Sequence, residues 1–289
     1  MSTRIRSTLP ALVLAILGGV SLAASAQGDA KRGEYLAKAG GCVGCHTEEK
    51  KDAVRFAGGR ALKTPFGTFY GPNLTPHPEA GIGRWTEADF IRAMREGVRP
   101  DGANYFPAFP YPSFTKISDA DLRDLWAYLR ALPPNDRKNQ SHELDFPFGW
   151  RVLVGTWKSL YFTPGAFVPD PKAAPEINRG AYLVQALGHC GECHTPRTSL
   201  GGPKQERFLA GGKGPDGKAI PNLTPTRLKK LSDGELKDFL LTGTTPDGDV
   251  AAEAMGEVVT NTTSQLTPED LAALIAYLRS LPPLPEEPK

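Results

Sequence analysis

The sequence lacks several features that would place it in a common class. No segment after residue 26 has the run of about 18 apolar residues that a membrane-spanning helix needs, so we predict none in the mature chain. No excess of one charge is present, because loss of Arg4 and Arg6 with a leader reduces 34 basic residues to 32, equal to the 32 acidic ones. A nearly neutral chain offers no electrostatic footprint for nucleic acid. Alternating strand patterns are also absent, which argues against a β fold.

The first 26 residues have the pattern of a signal peptide. Arg4 and Arg6 form a short basic region, an apolar stretch follows, and residues 24–26 read A-S-A, a small-residue cleavage site. An uncleaved anchor helix is the alternative, but the cleavage site favours removal. We therefore expect an exported protein of the periplasm.

The remaining chain is an internal repeat. "RGEYLAKAGGCVGCHT" (32–47) returns as "RGAYLVQALGHCGECHT" (179–195), and "PNLTP" occurs at 72–76 and again at 221–225. The offset between such pairs stays between 146 and 149 residues, which predicts two copies of one domain. We place the boundaries as follows: first domain 27–134, linker 135–178, second domain 179–289.

Helical signals dominate each copy. Segments 117–134 and 266–283 have apolar residues at helical spacing behind a capping serine or threonine. Segments 86–97 and 232–243 open with a cap and close on glycine. The predicted fold is therefore all-α, with short helices joined by long loops.

The linker has polar or proline-rich ends and an aromatic middle. A membrane-surface or partner-binding patch is one interpretation, and packing between the two domains is the other. We favour packing, because so many exposed rings would be unusual on a soluble surface. The rings are Phe146, Phe148, Trp150, Trp157, Tyr161 and Phe162.

All four cysteines belong to two C-x-x-C-H motifs, the attachment signature of c-type haem. Two thiols three residues apart can reach both vinyl groups of one porphyrin, and the adjacent histidine can then bind the iron. A disulfide, a redox dithiol or half of a zinc site needs no histidine at that position, and zinc needs more ligands nearby. We predict two covalent haem c groups. The motif residues are Cys42, Cys45 and His46, then Cys190, Cys193 and His194.

These motifs, with "GPNL", "IPNL" and the closing helix, make each copy resemble class I cytochrome c. The whole mature chain resembles the cytochrome c subunits of periplasmic alcohol, aldehyde and related dehydrogenases, which often carry three haems rather than two. The resemblance implies electron flow from a periplasmic dehydrogenase to the respiratory chain. It also implies that the carbonyls of Pro72 and Pro221 accept a hydrogen bond from the proximal imidazoles.

The distal ligands are predicted to differ between the copies. Met255 lies 61 residues after His194, where class I cytochromes place a methionine ligand, although a core methionine is the alternative. Phe109 occupies the matching position of the first copy and has no lone pair to donate. Met94, His77 or no side chain at all could complete that first site, and the open site ranks slightly first.

Two functions remain open at this point. Electron transfer between a dehydrogenase and the respiratory chain is favoured. The alternative is a haem enzyme that uses an open first haem to reduce peroxide or to oxidise a small inorganic or sulfur substrate. Around Phe109 the sequence offers only proline, tyrosine and serine, so no acid–base residue for such chemistry is evident.

Overall fold

A computed structural model describes residues 28–214, 217–251 and 253–286, so the predicted signal peptide (1–26) lies outside the described residues. Both copies fold as short helices and long loops, as predicted. The first copy and linker contain α1 (Ala30–Ala39), α2 (Cys42–His46), α3 (Glu87–Glu96), α4 (Tyr111–Phe114), α5 (Asp119–Ala131) and α6 (Arg151–Tyr161). The second copy contains α7 (Pro175–Tyr182), α8 (Gly191–His194), α9 (Pro225–Leu228), α10 (Asp233–Thr242), α11 (Glu253–Asn261) and α12 (Pro268–Ser280).

Two small antiparallel sheets accompany the helices. Their strands are β1 (Ala61–Thr64), β2 (Gly67–Tyr70) and β3 (Glu143–Leu144) in one sheet, and β4 (Gly212–Lys213) and β5 (Ala219–Ile220) in the other. Strands of two to four residues are too short to show an alternating pattern, which is why the sequence did not predict them. Within the described part of the chain, no helix is both long enough and apolar enough to cross a bilayer.

The predicted helix ends are confirmed. Thr86 caps α3 and forms a reciprocal capping box with Asp89, and the helix stops at Gly97 in a left-handed conformation (φ 60°). Ser232 and Glu235 form the same box at the start of α10. Local sequence therefore sets these helix boundaries in both copies.

In each copy the first helix packs directly across the last one, α1 on α5 and α7 on α12. A glycine makes each crossing possible. A Cβ atom at Gly33 would lie 1.9 Å from the Asp124 carbonyl oxygen, and one at Gly180 would lie 1.9 Å from that of Ala273. Any larger residue would push the helices apart, which explains the glycine in both "RG" pairs. The buried residues of the two copies form one continuous core.

A buried aspartate in α12 ties the two copies together. Asp270 accepts hydrogen bonds from Nε and Nη2 of Arg179 in its own copy, at 2.7 and 2.6 Å. It also accepts a hydrogen bond of 2.5 Å from the hydroxyl of Tyr35, a residue of the first helix of the other copy. One carboxylate therefore serves both an intradomain ion pair and an interdomain hydrogen bond.

The first copy has the same arrangement, with the roles of the two copies exchanged. Asp121 in α5 pairs with Arg32, which also bonds Asp124, and accepts the hydroxyl of Tyr182 from the second copy at 2.5 Å. We call these two arrangements the interdomain clamps. They relate the copies by an approximate two-fold axis, because each copy supplies one tyrosine and one aspartate.

The linker lies against both copies through one face of α6. Lys158 donates to Oδ1 of Asn104 in the first copy at 2.8 Å, and Nε1 of Trp157 donates to the Leu200 carbonyl in the second copy at 3.1 Å. The prediction of packing is right for Trp157, Tyr161 and Phe162, which are partly buried. It is wrong for the three rings before α6, Phe146, Phe148 and Trp150, which stay exposed. The large apolar side chains of the linker that remain exposed are Phe146, Phe148, Trp150, Val152, Leu153, Leu160 and Val168.

Candidate haem-attachment sites

The first C-x-x-C-H motif forms helix α2, which follows Gly41 in a left-handed conformation (φ 61°). Three-residue spacing on a helix puts Cys42 and Cys45 on the same side, and both thiols are unpaired. Nδ1 of His46 lies 2.8 Å from the Pro72 carbonyl oxygen. A carbonyl can only accept, so Nδ1 carries the ring proton and Nε2 keeps its lone pair. Two thiols and one free imidazole nitrogen are the donor set that covalent haem attachment requires.

The second motif repeats this geometry, except that its helix begins one residue later, after the first cysteine rather than at it. Cys190 immediately precedes α8, and it and Cys193 are again unpaired thiols. Nδ1 of His194 lies 2.7 Å from the carbonyl oxygen of Pro221. The predicted proline contacts are therefore present in both copies, and they select the same histidine tautomer.

Burial shifts the pKa of the cysteines and of the histidine in each motif. Burial of the sulfur raises the pKa of Cys42 and of Cys190 to about 12, although both residues are partly exposed. Burial lowers the pKa of His46 and His194, against the opposing effect of the proline carbonyls. At neutral pH the free thiols are protonated and the imidazoles are neutral, so each imidazole keeps a lone pair on Nε2 for an iron atom. Across residues 28–214, 217–251 and 253–286, no group of three or more histidine, cysteine or acidic side chains could hold a bare metal ion.

A loop with one large residue at positive φ donates a backbone hydrogen bond to the carbonyl of each proximal histidine. The carbonyl of His46 accepts the amide of Gly58 at 2.8 Å, in a loop that contains the buried Phe56 at φ 63°. The second copy has Leu209 at the matching position, also buried and at φ 62°. Large residues rarely adopt positive φ, and strain of this kind persists where the surrounding structure fixes a functional segment. Each histidine is thus held both through its imidazole ring and through its main-chain carbonyl.

The distal candidates occupy different settings. Met255 lies in the first turns of α11, half-buried against the core. Phe109 lies before α4, outside any helix, and packs against the same core. Met94 is buried on α3, and His77 lies in a turn where its Nδ1 accepts two backbone amides. The structure therefore places Met255 and Phe109 in equivalent segments, and puts Met94 and His77 in structural roles.

The segments around the two motifs touch across the interface between the copies. Helix α11 packs on α2, and α4 packs on the segment that leads into the second motif. Arg60 of the first copy pairs with Glu257 of α11 at 2.5 Å. Ser113 of α4 donates to Glu192, inside the second motif, at 2.7 Å. The distal segment of each copy thus contacts the attachment segment of the other.

The sequence interpretation missed one difference between the attachment segments. The second copy has one more residue than the first between its "RG" pair and its first motif cysteine. The structure accommodates it as a π-helical turn, Leu183–Leu187, in which the amide of Gly188 bonds the Leu183 carbonyl at 2.7 Å. The unequal spacing was the available signal. The clamp tyrosines Tyr35 and Tyr182 were also visible as repeated letters, but nothing in the sequence showed that they cross between copies.

Comparison with known proteins supports the repeat. The Cytochrome c family model matches residues 30–133 and again 177–282. A "Diheme cytochrome c-type" protein of Cereibacter sphaeroides is 46% identical over 90% of this chain and 88% of its own length. "Alcohol dehydrogenase (quinone), cytochrome c subunit" of Gluconacetobacter polyoxogenes is 37% identical over 99% of this chain. "Fructose dehydrogenase cytochrome subunit" of Gluconobacter japonicus is 39% identical over 87% of it. This chain spans only 63% and 52% of the length of the last two relatives.

Proposed function

The chain belongs to the cytochrome c family, and from this premise we propose that it carries electrons from a dehydrogenase to an acceptor of the respiratory chain. It binds two haem c groups covalently, one in each copy of the repeat. Each haem supplies a one-electron couple between ferrous and ferric iron. The observation that carries the proposal is the pair of equivalent thiol–imidazole sites whose flanking segments meet at one interface.

We assign the roles residue by residue. His46 and His194 would bind the two irons through Nε2, oriented by the carbonyls of Pro72 and Pro221, and Met255 would supply a thioether to the iron of the second copy. A carbonyl that accepts a hydrogen bond from Nδ1–H makes the imidazole a stronger electron donor to iron through Nε2. A thioether ligand raises the reduction potential of the iron. The thioether attachment residues are Cys42, Cys45, Cys190 and Cys193.

The interface between the copies has its own role in the proposal. The chain does not leave its two domains on a flexible tether, because two clamps and the Arg60–Glu257 pair hold them together. A fixed interface keeps the two haem sites at a constant separation, so an electron accepted by one domain can pass to the other within the molecule.

The names of the relatives support a partner, and the leader sequence supports a location. Two of those compared are named as cytochrome subunits of dehydrogenases, which supports a dehydrogenase as the electron donor here. The A-S-A site at residues 24–26 supports export and cleavage of the leader, so we place the mature protein in the periplasm, with a respiratory cytochrome or oxidase as acceptor.

The holoprotein, matured in a host competent for cytochrome c assembly, tests the proposal. Intact mass should equal the chain from residue 27 plus two haems, and a spectroscopic redox titration should give two reversible one-electron couples. In the native host, deletion of this chain should stop substrate-dependent reduction of the respiratory chain by its dehydrogenase. Colourless protein at the mass of the bare processed chain would refute the proposal.

A further inference from the structure

We propose that the haem of the first copy has no side-chain ligand on its distal side and binds a small neutral diatomic molecule, such as carbon monoxide, at that position. The inference rests on the proposed function for one element only, the attachment of the first haem through His46. It goes further by assigning a ligand site to the segment around Phe109.

The distal segments of the two copies differ in backbone as well as in side chain. Helix α11 already includes Met255, whereas α4 starts two residues after Phe109. Pro110 is the reason, because proline disfavours a helical conformation in the residue before it and cannot donate a backbone hydrogen bond. The amide of Tyr111 instead bonds the carbonyl of Phe109 at 2.7 Å, in a tight turn. Phe109 is therefore held in a fixed, non-helical conformation.

Aromatic neighbours surround the phenylalanine. The ring of Phe109 lies 5.3 Å from that of Tyr105, 6.3 Å from Tyr111 and 5.7 Å from Phe114, measured between centroids. Burial raises the pKa of Tyr105 to about 12 and raises that of Tyr111 further. Both phenols stay protonated at neutral pH, and a protonated phenol is a poor iron ligand. This aromatic cluster offers no sulfur or imidazole to the iron.

The remaining methionine among the described residues is a packing residue. Met94 lies on the inner face of α3 and is 6% exposed within the common core. Phe90, one turn earlier on the same face, is equally buried. The second copy has Leu240 at the position of Met94, also 6% exposed. Leucine cannot bind iron, so the role that the two copies share at this position is to fill the core.

Two histidines are excluded by the hydrogen bonds that their rings accept. Nδ1 of His77 accepts the amides of Glu79 and Ala80 at 3.2 and 3.1 Å, and Nδ1 of His142 accepts the amide of Tyr70 at 3.1 Å. A nitrogen that accepts an amide hydrogen has no proton of its own, so the ring proton sits on Nε2. Both nitrogens of each ring are then occupied. His46 and His194 have the opposite tautomer, with Nε2 free.

The last histidine lies on the attachment side of the interface. His189 directly precedes Cys190, and its ring stacks edge-on against Phe114 at 5.4 Å. Burial lowers the pKa of this imidazole, against the opposing effects of the Glu192 carboxylate and of a hydrogen bond to the Gly40 carbonyl, two residues before Cys42. The ring touches Phe114, one neighbour of Phe109, but its bond to the Gly40 carbonyl holds it at the segment that anchors the first haem.

The lining of the site defines the class of ligand. Phe109 and its three ring neighbours present an aromatic surface, where an anion would lose hydration. Nζ of Lys158 lies 5.4 Å from the Tyr111 ring centroid, but it already donates to the Glu96 carbonyl and to Asn104, and the Glu192 carboxylate near Tyr111 opposes a second negative charge. The close spacing of the rings also limits size. A neutral diatomic that bonds ferrous iron meets both conditions, and carbon monoxide is the simplest probe.

The test uses reduced holoprotein titrated with carbon monoxide and followed by absorbance. One of the two haems should bind the ligand. A C190A/C193A variant, which retains only the first haem, should bind one equivalent per chain. Phe109→Met should abolish binding and convert the first haem to a low-spin spectrum with a sulfur-to-iron charge-transfer band. Met94→Leu is the matched control and should bind carbon monoxide as the unaltered chain does.

Clear results would overturn the inference. Absence of carbon monoxide binding in C190A/C193A, with a low-spin ferric spectrum, would show that a side chain ligates the first iron. A switch to high spin on replacing His77, His142 or Met94 would contradict it equally. Such results would leave the proposed function intact if the protein still carried two haems with reversible couples, so the two failures are distinguishable.

Discussion

The two copies are alike on the side that holds the proximal histidine and unlike on the opposite side. His46 and His194 have matching carbonyl contacts, at 2.8 and 2.7 Å, and matching strained loops behind them. Met255 and Phe109 differ in chemistry and in local backbone. Duplication has therefore preserved the part of the site built from main-chain contacts, while a single side chain and its flanking prolines separate the copies. Attachment and tuning of the cofactor are separable properties of this fold.

The largest expected effect comes from removing one attachment pair at a time. C42A/C45A and C190A/C193A should each lose one of the two haems, because thioether formation requires the thiols. The haem that remains should be low-spin in C42A/C45A and high-spin in C190A/C193A. Haem content by pyridine haemochrome assay and ferric absorbance spectra measure both points. Two identical residual spectra would contradict the difference between the copies.

Met255→Phe should make the second copy resemble the first. Loss of the thioether should lower the potential of the second haem and remove its charge-transfer band, because a methionine ligand favours the reduced iron. The variant should then bind carbon monoxide at two haems rather than one. Redox titration and ligand titration provide the measurements. A potential that does not change would remove Met255 from its assigned role.

The repeat, the motifs and the main helices could be predicted from the sequence because each depends on local signals. Capping residues such as Thr86, helical periodicity and the C-x-x-C-H spacing act over a few residues. The clamps could not be predicted, since Tyr35 meets Asp270 across 235 positions. The tautomer of His77 also escaped prediction, because it depends on two amides brought together by a turn. Long-range pairing and side-chain direction are tertiary properties that a pattern does not encode.

Asp270→Asn tests how strongly the second clamp holds. The amide cannot reproduce the charge-assisted bonds from Arg179 and Tyr35, so we expect a loss of about 2 kcal/mol in the free energy of unfolding at neutral pH. Asp233→Asn is the matched control, because the Asp233 carboxylate is 74% exposed, and a pair with one solvated partner should be worth less than about 1 kcal/mol. Urea unfolding followed by circular dichroism compares the two.

The same variant should also flatten the acid side of the stability profile. Burial alone would raise the pKa of Asp270, but hydrogen bonds from Arg179 and Tyr35 outweigh it and lower the pKa below 3.8. A group with a lowered pKa in the folded state stabilises the protein above its unfolded value and loses that contribution as pH falls through the folded value. The difference in unfolding free energy between the unaltered chain and Asp270→Asn should therefore shrink below pH 3.8. A constant difference would contradict the assignment.

The smallest expected effect separates the two clamps by their tyrosines. Tyr182 is 8% exposed, donates to Asp121 at 2.5 Å and accepts the amide of Ser118 at 3.0 Å. Tyr35 is only half-buried, and its own amide contact is longer at 3.3 Å. Tyr182→Phe leaves the buried Asp121 carboxylate and the partly buried Ser118 amide with one partner fewer each. It should cost about 1.5 kcal/mol in unfolding free energy, against about 1 kcal/mol for Tyr35→Phe. The double variant should show the sum to within about 0.5 kcal/mol, because the two hydroxyls bond different carboxylates. An equal or reversed ranking would mean that burial does not decide the strength of the clamps.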